Sequence, residues 1–409
     1  MKRQITDQYL IVKQLKRTIL CLLTALMLMS QTTAADNGKQ ADSIRISLLT
    51  CMPRPYVYSL YGHTAIRYEN LTQGIDIAIN YGIFSFSKPY FVLRFVFGLT
   101  DYEMGIEYFE DFKAQYERSG CGVIQQTLNL TDKEKAAIAK AIDKNYLPEN
   151  RVYRYNYFYD NCTTRARNII LDNIDGKVVF ENEATPYPSF RELIHQYNER
   201  HRWARFGNDL LLGVKADRPT TFSEQQFLPK NLSKDINDAV IYDKDGSKRK
   251  FVGSETWVLP ATSDSGSDSF PVSPIVCLGV LAALVVAITT IEAMRKANYW
   301  LTDTIMMFLT GACGLILFAM IFSQHPTVSL NLQILLLNPL NLVFLWSTSK
   351  KIKKGQPSKW QKAWTVLIIL FLLGGIIQSY AEGVYFVALS LLYRNIMKIR
   401  QTANTTNKR

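Results

Sequence analysis

From about Pro271 onward the chain carries five apolar stretches, at roughly 272–292, 300–323, 328–347, 363–379 and 381–396. Stretches of this length and polarity read as membrane spans, and no other feature restricts the fold as strongly, because backbone inside a bilayer must bond to itself. The last two are short, but "SYAEG" between them is a turn signal, and a single helix through both would overshoot a membrane. Positive charge orients the spans. Arg295 and Lys296 follow the first; Lys350, Lys351, Lys353, Lys354, Lys359 and Lys362 follow the third; Arg394, Lys398 and Arg400 follow the fifth. The connections "SQHPTVS" and "SYAEG" hold no Lys or Arg, so spans one, three and five are expected to finish in the cytoplasm, with residues 36–270 outside it.

The expected order is a signal peptide at 1–35, an exported domain at 36–260, a linker at 261–271, a membrane domain at 272–397 and a cytoplasmic tail at 398–409. Lys2, Arg3, Lys13, Lys16 and Arg17 precede "ILCLLTALMLM" and the small-residue end "TTAA", the pattern of a secretory signal. The formal net charge of +12 does not mark a nucleic-acid binder: residues 36–270 hold 29 Lys and Arg against 31 Asp and Glu. The excess base lies in the signal region and the cytoplasmic loops, where it is a topology signal.

Periodicity makes the exported domain α+β. "DSIRISLLT" and "GVIQQTLNL" alternate as strands; "HTAIRYEN", a turn at "LTQG" and "IDIAINYG" read as a hairpin; "RVYRYNYFY" returns to period two. "TDKEKAAIAKAIDKNYL" opens with a capping box from Thr131 to Glu134; "SFRELIHQYNER" is amphipathic; "CTTRARNIILDNI" has helical spacing through Ala166, Ile169 and Ile170. The tail from "DRPTTFSEQQFLP" to "TSDSGSDS" reads as polar and turn-rich. "PYFVLRFVFG", Pro89 to Gly98, reads as a buried core segment, with one wall of an apolar channel as the alternative.

Cys162 falls where the tyrosine-rich run "VYRYNYFYDN" gives way to a helix. At a helix start, free backbone N–H groups and the positive end of the dipole lower a thiol pKa from about 8.5. A thiolate of this kind is a nucleophile in need of a base. Of three exported histidines, His63 in "SLYGHTAIRY" begins a strand; folding the hairpin about Leu71 and Thr72 sets it opposite Asn80 or Tyr81. Asn80 would then hold the imidazole in one tautomer, with Glu69 and Asp76 as reserves. His195 and His201 read as surface or packing residues, and no metal motif is present. Cys51 and Cys121 could pair as a disulfide or remain free.

"GHTAIRY", "NYGIFSF", "TDYEMG", "QQTLNL", "PENRVYRYNYFYDNCTTRARN", "RFGNDLLLGVKAD" and "FLP" occur in the order found in the Lnb-type bacterial lipoprotein N-acyltransferases, which the chain resembles over nearly its whole mature length. The resemblance implies a permuted papain-like exported domain, of the NlpC/P60 and lecithin:retinol-acyltransferase kind, followed by an all-α five-helix transmembrane bundle. It implies Cys162 as nucleophile and His63 as base, and a bacterial inner-membrane protein with its N-terminal domain in the periplasm and its C-terminus in the cytoplasm. The chain departs from the family pattern at Asn168 and Ser85, where acidic residues are expected.

Asp160, Asn161 and Arg165 around Cys162, and Tyr61 near His63, are candidates for substrate contact. So are His325, Asn331 and Asn338 of "FSQHPTVSLNLQILLLNPLNLVF", since amides within a span face a bundle interior or a site. The expected chemistry moves a fatty-acyl chain from a phospholipid or lipoprotein donor, through a Cys162 thioester, to the α-amine of a diacylglyceryl lipoprotein's N-terminal cysteine. No cofactor and no nucleic acid are expected. A cysteine amidase or peptidase acting on cell-wall peptides, and a membrane scaffold without catalysis, are the competing readings.

Overall fold

The computed structural model describes residues 43–54, 56–84, 89–181, 186–262 and 270–406. The expected signal peptide, Ser85 and most of the expected linker lie outside the described residues. A seven-stranded sheet forms the first half, in the order β10-β5-β1-β2-β3-β4-β6. Its strands are β1 (Ile44–Cys51), β2 (His63–Asn70), β3 (Ile75–Ile83), β4 (Asp101–Tyr108), β5 (Val123–Leu128), β6 (Val152–Arg154) and β10 (Val252–Leu259). The hairpin forms as the sequence predicts, but Asn80 faces Ala65, two residues on from His63, because the turn takes four residues, 71–74, with Gly74 at φ 65°. The tyrosine run is a strand only at Val152–Arg154 and then turns.

Helices α1 (Phe91–Val96), α2 (Phe109–Arg118), α3 (Asp132–Tyr146), α4 (Cys162–Leu171), α5 (Phe190–Asn198) and α6 (Arg202–Leu211) are interleaved with the strands. The box from Thr131 to Glu134 opens α3, and a second from Ser189 to Glu192 opens α5. The core under the sheet joins Phe109, Phe112 and Tyr116 of α2 to Leu49, Cys51, Ala65, Ala78 and Val123. The tail is more ordered than its polarity suggests. It folds into α7 (Phe222–Gln225) and α8 (Pro229–Asn237); β8 (Ala239–Asp243) then lies between β7 (Gly176–Phe180) and β9 (Lys248–Lys250), and β10 closes the edge of the large sheet beside β5. Backbone pairing with β5, rather than apolar content, puts β10 there; five of its residues, Gly253 to Trp257, are exposed.

In the membrane part α9 (Pro274–Arg295) and α10 (Trp300–Met320) are long and apolar enough to cross a bilayer. The expected third span is not one helix. It breaks into a 3-10 turn at Leu332–Leu335, α11 (Leu340–Val343) and α12 (Leu345–Lys353), with a bend of 80°. Asn331 caps the 3-10 turn through the N–H of Gln333, Asn338 Oδ1 accepts from the N–H of Leu340, and Pro339 between them has no N–H to continue a helix. Gly311 and Gly314 of α10 let the broken segment pack backbone to backbone; a Cβ on Gly314 would meet Leu337 O and Pro339 N. Helices α13 (Lys359–Gly374) and α14 (Val384–Thr406) complete the bundle.

The exported and membrane parts are fused through shared cores. Phe158, Phe190, Leu193, Leu212 and Phe227 pack with Met320 and Val328, while Phe206, Leu210 and Leu211 of α6 pack against the bundle. Backbone bonds reinforce this, from Gly213 N–H to Thr327 O and from Val214 N–H to Leu330 O, each 2.8 Å. The intramembrane amides belong to the same joint. Asn331 Nδ2 donates to Leu210 O at 2.8 Å, Gln333 Nε2 to Asp209 O at 2.9 Å, and Gln378 Nε2 to Leu212 O at 3.1 Å. Asn331 and Asn338, expected to touch substrate, spend their side chains on capping and on this joint, because a broken span leaves backbone groups that need partners.

Candidate active site

Cys162 is the first residue of α4. Asn161 caps that helix: its Oδ1 accepts from the N–H groups of Thr163 and Thr164, both at 2.9 Å, and its Nδ2 donates to Tyr157 O and Phe227 O. Such a cap is worth about 1 kcal/mol. Asn161 therefore has no polar atom left for the substrate contact expected of it; it fixes where Cys162 stands. Helix α4 lies across the hairpin, and Thr64 and Thr163 hydroxyls meet at 3.1 Å between the two.

His63 and Cys162 lie close enough to shift each other's ionisation, and Nε2 of His63 lies 2.9 Å from Oδ1 of Asn80. Asn80 in turn donates from Nδ2 to Oε1 of Glu107 at 2.7 Å. The chain of contacts has one consistent polarity. A carboxylate accepts only, so Glu107 turns the Asn80 amide nitrogen toward itself and the amide oxygen toward His63. That oxygen also accepts only, so Nε2 carries a proton and Nδ1 is left for the thiol. Burial opposes ionisation of Cys162, but the charge and hydrogen bond of His63, the Thr64 backbone N–H and the Thr163 hydroxyl outweigh it and bring the thiol to about 7. Burial also disfavours the charged imidazole, yet Cys162 and Asn80 together raise His63 above its ordinary value. Cys51 behaves in the opposite way: burial pushes its thiol up to about 12 despite opposing contributions from Tyr116 and Arg54, so the two cysteines of one domain differ sharply in reactivity. Cys51 and Cys121 are both free thiols.

The reserves Glu69 and Asp76 sit farther along the hairpin, where both pair with Arg67, at 3.3 and 2.7 Å, and not with His63. Asp160 and Arg165 form a two-pronged ion pair at 2.6 and 2.8 Å, and the guanidinium lies 3.6 Å over the ring of Tyr153. Gly82, at φ 89° beside the bulge in β3, brings these groups together: a Cβ there would sit 3.8 Å from Cys162 Cβ and 4.0 Å from the Tyr153 hydroxyl. That hydroxyl is buried with no hydrogen-bond partner among the described residues, and burial keeps it protonated far above neutral pH. Tyr61 is committed elsewhere: its hydroxyl accepts from Asn198 and Asn208, at 3.4 and 2.8 Å, and its ring packs on Tyr157 and Tyr197. His325 lies beside the exported domain, its Nε2 3.1 Å from Phe95 O. His195 pairs with Asp209 at 2.8 Å and His201 is buried.

Glu107 and Tyr153 were not singled out by sequence. Glu107 lies two residues from Gly105, the partner of Asn80 across β3 and β4, so its signal is an alternation whose register is invisible without the fold. Tyr153 is one tyrosine among several in its run.

Two family models match the chain, the Lnb N-terminal periplasmic domain over residues 31–196 and the Lnb transmembrane domain over 265–406. No curated protein and no solved structure matches it. Between them the two family models cover most of the sequence, on both sides of the joint described above, and the chain belongs to the Lnb family of lipoprotein N-acyltransferases, inner-membrane proteins of lipoprotein maturation with a periplasmic domain ahead of a transmembrane one.

Proposed function

We propose that the protein transfers a fatty-acyl chain from a lipid to the α-amine of a diacylglyceryl lipoprotein's N-terminal cysteine, through a thioester on Cys162. The observation that carries the reading is the coupled Cys162–His63 pair, with its thiol brought to about 7, in a domain fused to a membrane bundle. At neutral pH such a pair supplies a thiolate and an imidazolium together. The thiolate attacks the ester carbonyl carbon; as the C–O bond breaks, His63 gives its proton to the leaving alkoxide, and a lysolipid departs. The incoming amine then attacks the thioester, His63 takes the proton the nitrogen sheds, and the C–S bond breaks to restore the thiolate.

The oxyanion of each tetrahedral intermediate needs donors already in place. Asn161 takes the N–H groups of Thr163 and Thr164, so we assign this task to the N–H of Cys162 and the hydroxyl of Tyr153. Asp160 and Arg165 hold the Tyr153 ring from behind and act as positioning residues. Glu107 and Asn80 hold the His63 tautomer. We read the helix that carries the nucleophile, crossing the strands that carry the base, as the permuted papain-like arrangement, and we place the C-terminus in the cytoplasm on the strength of Arg394, Lys398 and Arg400.

The test is mass spectrometry of a lipoprotein's N-terminal peptide from a host lacking its own N-acyltransferase. Wild-type protein should yield three acyl chains and Cys162→Ser two. Two chains in both, with expression verified, would overturn the reading and favour a hydrolase or a scaffold.

A further inference from the structure

Helix α1 departs from what its composition predicts. Leu93 is 57% exposed, Phe95 37% and Leu99 39%, and Tyr90 at the helix start is 78% exposed, so Pro89–Gly98 is not a buried core segment. A soluble domain rarely leaves such a patch open to water. The helix is also pinned in place. Ser323 Oγ donates to Val96 O at 2.8 Å, Gln324 N–H to Phe97 O at 2.9 Å, and His325 Nε2 lies 3.1 Å from Phe95 O. Gly98, at φ 66°, allows the close approach, since a Cβ there would sit 3.3 Å from the backbone nitrogens of both Gln324 and His325. These partners directly follow α10, whose end exposes Phe318, Ile321 and Phe322. The apolar face of α1 is therefore continuous with the lipid-facing surface of a membrane span. Arg94, the cation of the helix, is turned back into the domain, its Nη2 3.0 Å from Asp101 and 3.2 Å from Leu99 O.

The inner side of the same helix leads to Cys162. Phe95 stacks on Tyr155 with ring centres 6.4 Å apart, and Tyr155 stacks on Tyr102 at 4.1 Å. Tyr102 reaches the space above Gly82, where a Cβ would lie 4.0 Å from its ring and 3.8 Å from Cys162 Cβ. Aromatic rings thus follow one another from the exposed helix to Tyr102, which shares the surroundings of Gly82 with Cys162.

We infer that α1 lies in the outer leaflet of the membrane as a lipid entrance, and that an acyl chain of a phospholipid reaches Cys162 along Phe95, Tyr155 and Tyr102. The path deepens the acyl-transfer reading and rests on it for its purpose; the immersion of α1 stands on geometry alone. Interfacial helices with aromatic residues at headgroup level behave in this way.

The full chain carrying Leu93→p-benzoylphenylalanine, reconstituted in phosphatidylethanolamine and phosphatidylglycerol vesicles, would be irradiated and analysed by intact mass and peptide mapping. The reference is the same photoprobe at Tyr242, exposed on the small sheet. A phospholipid adduct at 93 severalfold above that at 242 is expected. Equal yields, or an adduct at 93 to a second copy of the chain, would overturn the inference. Leu93→Glu should lower thioester formation from phospholipid severalfold while Cys162 alkylation by iodoacetamide keeps its rate; an unchanged thioester yield would also overturn it. Should wild-type protein form no thioester, the acyl-transfer reading falls, while the adduct at 93 still decides where α1 lies.

Discussion

Glu107 accepts a hydrogen bond from Asn80 at 2.7 Å, and through that amide it dictates which nitrogen of His63 carries a proton. In the proposed mechanism a carboxylate one residue removed from His63 thereby governs the direction of proton transfer at the sulfur. Glu107→Leu frees the Asn80 amide to turn over and present Nδ2 to His63. Lost hydrogen bonds to a charged group are worth about 1.5–3 kcal/mol, so N-acylation should fall roughly tenfold or more. Glu107→Gln, which still offers an oxygen to Asn80, should recover most of the rate. Equal rates for all three proteins, measured as triacylated product per unit time, would remove Glu107 from the site.

The depressed thiol gives a pH signature. A thiol at about 7 gains reactivity as pH rises through that value and levels off above it. Removing the imidazole deletes the charge and hydrogen bond that favour the thiolate, so burial prevails and the midpoint moves up. Iodoacetamide labelling of Cys162, read by peptide mass against pH, should show a midpoint near 7 for the wild type and one above the ordinary value of about 8.5 for His63→Ala. A variant midpoint that stays in place would deny the coupling.

Tyr153→Phe removes one hydroxyl and little else, since that hydroxyl has no hydrogen-bond partner among the described residues. Stability should change little. Loss of an oxyanion donor costs about 10²- to 10³-fold in kcat, and the effect should fall on turnover with alkylation of Cys162 unaltered. Wild-type turnover from this variant would leave the oxyanion to backbone N–H groups alone.

Gly213 is where exported backbone touches membrane backbone. A Cβ there lands on the carbonyl of Leu330, and its own N–H bonds to Thr327 O. Gly213→Val should loosen the joint without touching Cys162. Limited proteolysis in detergent micelles should cut the variant between its two halves faster than the wild type, with triacylated product reduced and alkylation retained.

In the bundle, Arg394 is buried between Asp303, at 2.7 Å, and Glu292, at 3.2 Å, with Lys398 bonded to the same Glu292. Breaking a buried pair by removing one partner leaves an uncompensated charge and costs about 3–5 kcal/mol. Arg394→Met should therefore lower the midpoint of thermal unfolding in detergent, and Arg394→Met combined with Asp303→Leu should lower it less. A double variant worse than the single one would show that the charges do not act as a pair.

What the sequence alone determined is what short-range rules govern. The division near residue 271 follows from hydropathy, the start of α3 from residues three apart, and Cys162 at a helix start from a change of period within a few positions. The hairpin that joins His63 to Asn80 was legible for the same reason, although a four-residue turn moved its register by two residues, a shift that alternation cannot detect. Only the tertiary structure decided which carboxylate serves Asn80. Glu107 lies 27 residues away on a strand whose partner and bulge are set by the whole sheet, while the nearer Glu69 and Asp76 are held by Arg67. It alone revealed that the third apolar stretch is broken, because its amides and Pro339 favour a break that becomes tolerable once Asp209, Leu210 and Gln378 supply partners. The same limit hid the exposure of α1: apolar content shows that a segment avoids water, and only the tertiary structure shows that its apolar side chains stand exposed beside the end of α10.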